Sequence, residues 1–249
     1  MEKTYNYLLK IEYDGTGYSG WQYQKNGKSI QEKIEKVLRK IFKLKIKIIG
    51  AGRTDKGVHA FGQHFNFKMN KKIENEKKFL NTLNFFLRKN LISILSIKRK
   101  KSIFHSRFDA KERIYEYKII NREGSLSLNI NKAWHVKTKL NFSLLKKGTK
   151  ILEGTHDFST FRASSCYAKS PIKKMISVKA IKQGDQIFLI FRSKSFLQNQ
   201  VRSMVGSLKY LSSGKWSLKE FKKAFFSKKR SNCAPPAPAC GLYLQNIKY

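Results

Sequence analysis

Apolar residues near the start of the chain recur first with a period of two and then with the period of a helix. They alternate over residues 4–13, which predicts a strand ending at Asp14-Gly15. Ser29-Ile30-Gln31-Glu32 has the composition of a capping box, and apolar residues recur at helical spacing behind it to about residue 43. The same reasoning predicts strands at 46–49, around Phe61 to Phe67 and at 91–98, and a helix over 79–87.

The second half of the chain shows the same mixture of patterns. Arg113, Tyr115, Tyr117 and Ile119 alternate, which predicts one strand face. Ser217-Leu218-Lys219-Glu220 has the composition of a second capping box and predicts a short helix. Prolines in the segment 231–238 exclude a helix interior there. Further helices are predicted over 141–151 and 197–212, and further strands near 172–182, 186–194 and 242–249.

Each half therefore combines antiparallel-type strands with helices, which predicts the α+β class. We place the boundary near 103–110, giving an N-terminal domain of residues 1–105 and a C-terminal domain of residues 106–249. Both halves open with an aromatic strand, which is compatible with a duplicated unit without proving one.

Composition adds a partner class to this picture. The 249 residues include 53 Lys and Arg but 16 Asp and Glu, a formal net charge of +37 at pH 7. A hydrophobic fraction of 41% is enough for a core and excludes disorder as the main state. The charge implies a polyanionic partner, either nucleic acid or an anionic membrane surface. A bias in genomic base composition could also raise the lysine content.

Several function classes are disfavoured. No apolar run approaches the ~20 residues of a membrane helix, and the N-terminus lacks the apolar region of a signal peptide. Cys166, Cys233 and Cys240 form no CxxC pair, so we expect neither a disulfide framework nor a zinc knuckle. The expected setting is reducing and cytoplasmic. The spacing of His59 and His64 does not favour a metal site.

Two glycine-rich segments resemble nucleotide-binding motifs but lack a required part. The segment from Gly15 to Gly20 matches GxGxxG, yet no helix is predicted before Ser29, so a dinucleotide site is disfavoured. A flexible loop is expected instead, on which Tyr18 and Trp21 could stack on bases. The segment Gly52–Gly57 begins like a P-loop, but Val58-His59 stands where Lys-Ser/Thr is required.

Asp55 is the unusual residue of that second segment, because it lies between Arg53 and Lys56 in a glycine-bounded turn. One interpretation is a turn-former whose side chain caps backbone N–H groups. The other is a carboxylate kept ionised by neighbouring cations and available as a nucleophile or base. The residues alone leave both open.

The segment Ala51-Gly52-Arg53-Thr54-Asp55-Lys56-Gly57-Val58-His59-Ala60 resembles the signature of the tRNA pseudouridine synthase A (TruA) family. Further blocks, in family order over almost the whole chain, resemble its other segments: residues 11–15 with 20–22, 29–32, 104–108 with 115–117, 156–162, 196–206 and 237–244. Two positions depart from the family pattern. Cys240 stands where an acid is frequent and Lys56 where a small residue is common.

The resemblance implies two similar domains of RRM-like pseudouridine synthase fold, each a mainly antiparallel sheet backed by helices, with the active-site cleft between them. It implies isomerisation of uridine to pseudouridine at positions 38, 39 and 40 in the anticodon stem-loop of tRNA. It further implies a homodimer and no cofactor or metal. A non-catalytic basic RNA-binding protein, associated with tRNA or the ribosome, is the alternative that composition alone would favour.

The resemblance also assigns roles to individual residues. Asp55 matches the catalytic aspartate, which acts as nucleophile or base, and Arg202 matches the basic residue that pairs with it. Tyr115 matches the tyrosine that stacks on the target base, although a core aromatic beside Tyr117 is the simpler interpretation of its pattern. Arg53 matches the arginine that fills the space left by the flipped nucleotide. Flipping costs a few kcal/mol, which planar cationic groups help to offset.

Overall fold

A computed structural model describes residues 4–249. The chain divides into two compact units. Unit 1 contains the residues up to Lys111 together with Leu244–Tyr249, and unit 2 contains Glu112–Tyr243. Strands and helices mix in both units and the strands pair almost entirely antiparallel, so the predicted α+β class is confirmed.

Unit 1 contains a sheet in which the first strand lies between two others. Its elements are β1 (Tyr5–Tyr13), α1 (Ile30–Phe42), β2 (Ile49–Gly50), β3 (His59–Met69), α2 (Glu76–Leu87) and β4 (Ile92–Lys100). β1 pairs antiparallel with β3 and with β4, and β2 adds to β3. Phe79 of α2 packs against Phe67 of β3 and Phe42 of α1, with ring centroids 6.4 and 5.3 Å away. This aromatic contact joins both helices to the sheet.

Unit 2 repeats the combination with more helices. Its elements are β5 (Glu112–Asn121), β6 (Trp134–Val136), α3 (Phe142–Ile151), β7 (Gly154–Asp157), β8 (Ile172–Gln183), β9 (Gln186–Ser193), α4 (Gln200–Ser212) and α5 (Leu218–Phe226). Its antiparallel strand order is β5-β9-β8-β7, and β6 adds to β5 in parallel. The last strand, β10 (Leu242–Lys248), begins in unit 2 and continues into unit 1 beyond Tyr243.

Most predicted elements are confirmed to within a few residues, and the differences have local causes. The helix predicted over 197–212 begins at Gln200, because Asn199 has a φ of 59° and cannot belong to a right-handed helix. The strand predicted at 46–49 is reduced to Ile49–Gly50. β6 and β7 were not predicted, since three or four residues are too few to show a period.

Helix starts follow the predicted capping residues. The Ser29 hydroxyl accepts a hydrogen bond from the Glu32 N–H at 3.2 Å, and the Glu32 carboxylate binds Lys36. At α5 both halves of the capping box between Ser217 and Glu220 form. Within residues 4–249, no helix is long and apolar enough to cross a membrane.

Candidate active site

Asp55 lies in the turn between β2 and β3 of unit 1, where it is half-buried. Its carbonyl accepts a hydrogen bond from the Val58 N–H at 3.2 Å. The neighbouring Thr54 is held from two directions, since its carbonyl accepts from the Trp21 N–H at 3.1 Å and its hydroxyl lies 2.7 Å from the Tyr13 hydroxyl. The turn that carries the carboxylate is therefore fixed to the core of unit 1.

Glycines of the GxGxxG segment allow that segment to lie against the same turn. A Cβ at Gly15 would lie 2.0 Å from the Val58 carbonyl oxygen, and one at Gly20 would lie 2.6 Å from the Thr54 oxygen. Gly20 also has a φ of +114°, a conformation that favours glycine. No helix opens within this segment; the next one begins at Ile30. These glycines thus support the Asp55 turn.

Tyr18 and Trp21 do not form the flexible base-stacking loop that the sequence predicted, so that expectation is wrong. Their exposed fractions are 8% and 2%. The Tyr18 hydroxyl donates to the Asn90 carbonyl at 2.6 Å. The Trp21 ring lies between Tyr13 and Phe65, with centroids 6.2 and 6.3 Å away. Burial of these large aromatic surfaces in the core stabilises the fold.

Arg53 and Lys56, the cations on either side of Asp55, are exposed. The Nε of Arg53 donates to the Oε1 of Gln22 at 3.1 Å. Gln22 therefore restrains this exposed guanidinium, a role that was not predicted from the sequence. The sequence feature that could have identified Gln22 is its position, as a polar residue directly after Trp21.

Tyr115 lies on β5 of unit 2 and is 8% exposed. Its ring makes an edge contact with Phe196, at 5.1 Å between centroids. Tyr117 on the same strand face is fully buried, and its hydroxyl donates to the Pro238 carbonyl at 2.7 Å. Burial raises the pKa of Tyr117 well above its ordinary value, Cys240 raises it further, and the charge of Arg202 opposes both. Tyr117 therefore stays protonated and keeps this hydrogen bond.

Arg202 lies in the first turn of α4, where two neighbours hold its side chain. The Nε donates to the Ala237 carbonyl at 2.7 Å, and an Nη donates to the Oδ1 of Asn199 at 3.2 Å. Neither neighbour was predicted from the sequence as part of the site. Asn199 carries a weak signal, because Asn is a preferred residue at helix starts and tolerates the left-handed conformation. Ala237 offers only its backbone and carries no such signal.

Across residues 4–249, no group of three or more His, Cys, Asp and Glu side chains is placed to hold a metal ion. Unit 1 contributes a half-buried carboxylate at Asp55 and the exposed guanidinium of Arg53. Unit 2 contributes the hydrogen-bonded guanidinium of Arg202 and the packed ring of Tyr115.

Comparison with known proteins gives a consistent result. A family model described as tRNA pseudouridine synthase matches residues 10–109 and 149–249, segments that include Asp55 and Arg202 but not Tyr115. The chain is 52% identical over 245 residues to the tRNA pseudouridine synthase A of Pelagibacter ubique, covering 98% of this chain and 100% of that protein. It is 42% identical to the protein of that name from Rhodopseudomonas palustris strain BisA53, covering 98% of each chain.

Proposed function

We infer the reaction from the membership of this chain in the tRNA pseudouridine synthase family, to which it plainly belongs. It is an isomerase that converts uridine to pseudouridine in tRNA. We propose that its targets are positions 38, 39 and 40 of the anticodon stem-loop. Two observations support these positions. Motifs along the chain resemble those of the tRNA pseudouridine synthase A family, and the relatives of this chain carry that name.

The reaction moves a glycosidic bond without changing the composition of the base. The bond between C1′ and N1 breaks, the bond between C1′ and C5 forms, C5 loses its proton, and N1 gains one. We propose Asp55 as the catalytic residue, acting in its ionised form as nucleophile or base. The observation that carries this proposal is its half-buried position in a fixed turn between two exposed cations.

Arg202 and Tyr115 are proposed to act on the same nucleotide as Asp55, so the cleft expected from the resemblance is part of this proposal. Arg202 would pair with the carboxylate, and its two hydrogen bonds to Ala237 and Asn199 support a fixed guanidinium. Tyr115 would stack on the target base, and its edge contact with Phe196 supports a fixed ring plane.

Arg53 is proposed to enter the space left when the target nucleotide flips out of the stem. A base in the stack cannot be attacked, so flipping must precede the chemistry. The exposed guanidinium, restrained by Gln22, is planar and can both stack and bind phosphate.

We further propose that the chain works as a cytoplasmic homodimer, so that one tRNA contacts both protomers.

Asp55→Ala and Asp55→Asn test this function. Because C5 loses its hydrogen, tRNA labelled with tritium at C5 of uridine releases the label as pseudouridine forms. We expect both variants to release none, while tRNA affinity holds or rises because a negative charge is removed. Glu74→Ala is the matched control, since it removes an equal charge from an exposed residue bound to Lys72. Tritium release by either Asp55 variant would contradict the assignment.

A further inference from the structure

The segment from Arg162 to Ala168 of unit 2 is a loop with an internally fixed backbone. The Arg162 guanidinium donates to the Cys166 carbonyl at 2.6 Å and to the Ala168 carbonyl at 2.8 Å. The Cys166 N–H donates to the Ala163 carbonyl at 3.0 Å. The Arg162 side chain therefore links the start of the loop to its end.

The same loop is attached to Gln198, two residues before α4 begins. The Ala163 N–H donates to the Gln198 carbonyl at 3.1 Å. Burial raises the pKa of the Cys166 thiol, but N–H groups of Ala168 and Gln198 and the Arg162 guanidinium lower it more, so its pKa falls below the ordinary value. These contacts place the Cys166 sulfur against the backbone that leads into the first turn of α4.

Tyr167 follows Cys166 and is 96% exposed. The residues on both sides of it are tied to Arg162, yet the aromatic side chain itself projects into solvent. The Cys166 thiol, next to Tyr167, accepts from the Gln198 N–H, and Arg202 lies four residues beyond Gln198. The backbone of Tyr167 therefore lies on the order of 15 Å from that of Arg202. Stacked nucleotides are spaced at about 3.4 Å, so a strand bound at Arg202 reaches Tyr167 within a few nucleotides.

We propose that Tyr167 is a stacking platform for an unpaired nucleobase of the tRNA, a few nucleotides from the uridine that reacts. The proposal rests on the proposed role of Arg202 in holding that uridine. An aromatic ring binds any base by its face, and a loop that is already ordered loses little conformational entropy on binding. Exposed Lys169 and the Arg162 guanidinium make the surroundings attractive to the phosphates on either side of the base.

The test compares the wild-type chain with Tyr167→Ala and Tyr167→Trp, using a tRNA transcript tritiated at C5 of uridine. Leu128→Ala is the matched control, because Leu128 is also 96% exposed on a loop of unit 2. A second readout uses an anticodon stem-loop RNA with 2-aminopurine at successive loop positions, whose fluorescence is quenched by aromatic stacking. Neither substitution at a fully exposed side chain should disturb folding, which thermal unfolding checks.

We expect Tyr167→Ala to raise KM by about 5- to 150-fold, the range that base–aromatic stacking provides, with kcat little changed. Tyr167→Trp should keep the wild-type KM, Leu128→Ala should behave as wild type, and Tyr167→Ala should abolish quenching at one loop position. An unchanged KM and unchanged quenching in Tyr167→Ala would overturn the platform. A wild-type chain that binds and quenches but releases no tritium would instead overturn the proposed function.

Discussion

Arg202 and Ala237 bind each other twice. The backbone N–H of Ala237 donates to the Arg202 carbonyl at 2.9 Å, while the Arg202 Nε donates to the Ala237 carbonyl at 2.7 Å. Gly206, one turn further along α4, comes so close to the same segment that a Cβ would lie 2.0 Å from the Pro235 oxygen. The proline-rich segment before β10 therefore fixes where the guanidinium of α4 stands.

Removal of the Asn199 side chain should impair turnover by loosening Arg202. Asn199→Gly keeps the left-handed backbone but removes the acceptor for the Nη, whereas Asn199→Asp keeps an acceptor. A hydrogen bond to a charged group contributes about 1.5–3 kcal/mol, so we expect kcat to fall roughly tenfold or more in Asn199→Gly and to recover in Asn199→Asp. Equal rates in the two variants would show that Asn199 does not position Arg202.

Arg53→Ala should lower kcat more than it lowers tRNA affinity, because the guanidinium is proposed to act only once the nucleotide has flipped. Gln22→Ala should shift both quantities the same way but less, since it removes only the Nε contact. Steady-state tritium release and filter binding of tRNA measure the two effects. Parallel losses of kcat and affinity in Arg53→Ala would argue against a role in flipping.

Gly50→Ala should destabilise unit 1 by about 1–3 kcal/mol, the usual cost of overpacking a core. A Cβ at Gly50 would lie 2.3 Å from the indole Nε1 of Trp21, a residue whose backbone N–H holds the Asp55 turn by donating to the Thr54 carbonyl. Gly124→Ala is the control, because a Cβ there meets nothing within 4 Å. Urea denaturation compares the two. A Gly50→Ala variant as stable as Gly124→Ala would be inconsistent with this packing.

His64 should make the protein less stable as the pH falls below about 6.5. Burial, together with the charge of Lys10, its partner across β1 and β3, lowers the pKa of this imidazole to about 4. The folded state thus binds the proton more weakly than the unfolded state. Up to about 3 kcal/mol of the free energy of unfolding, fully present above pH 6.5, is therefore lost progressively as the pH falls towards 4. Denaturation of wild type and His64→Gln at several pH values measures it; identical pH profiles would contradict the shift.

Affinity for tRNA should fall steeply with salt if the excess lysines lie in the interface. Contacts to 6–10 phosphates predict a loss of roughly 10³- to 10⁵-fold between 50 and 200 mM salt, because bound counterions are released. Filter binding at several salt concentrations gives the slope. A flat response would mean that the net charge of +37 reflects composition rather than RNA contact.

The sequence by itself determined the α+β class, most helices and strands, and the family. Alternation over residues 4–13 and helical spacing behind Ser29 are local properties, and each is reproduced in β1 and α1. The Asp55 segment was recognisable for the same reason, since a continuous motif needs no tertiary information. Short strands such as β6 carry too few residues to show a period.

Only the tertiary structure decided the role of the aromatic and glycine residues between Gly15 and Trp21. Tyr18 and Trp21 have the composition of a binding loop, and only the close approach of that loop to the Asp55 turn shows that they are core residues. Arg202 likewise depends on Ala237, 35 residues away, through a backbone carbonyl that no sequence pattern marks. Local periodicity fixes elements, whereas burial and long-range hydrogen bonds arise only once the elements pack together.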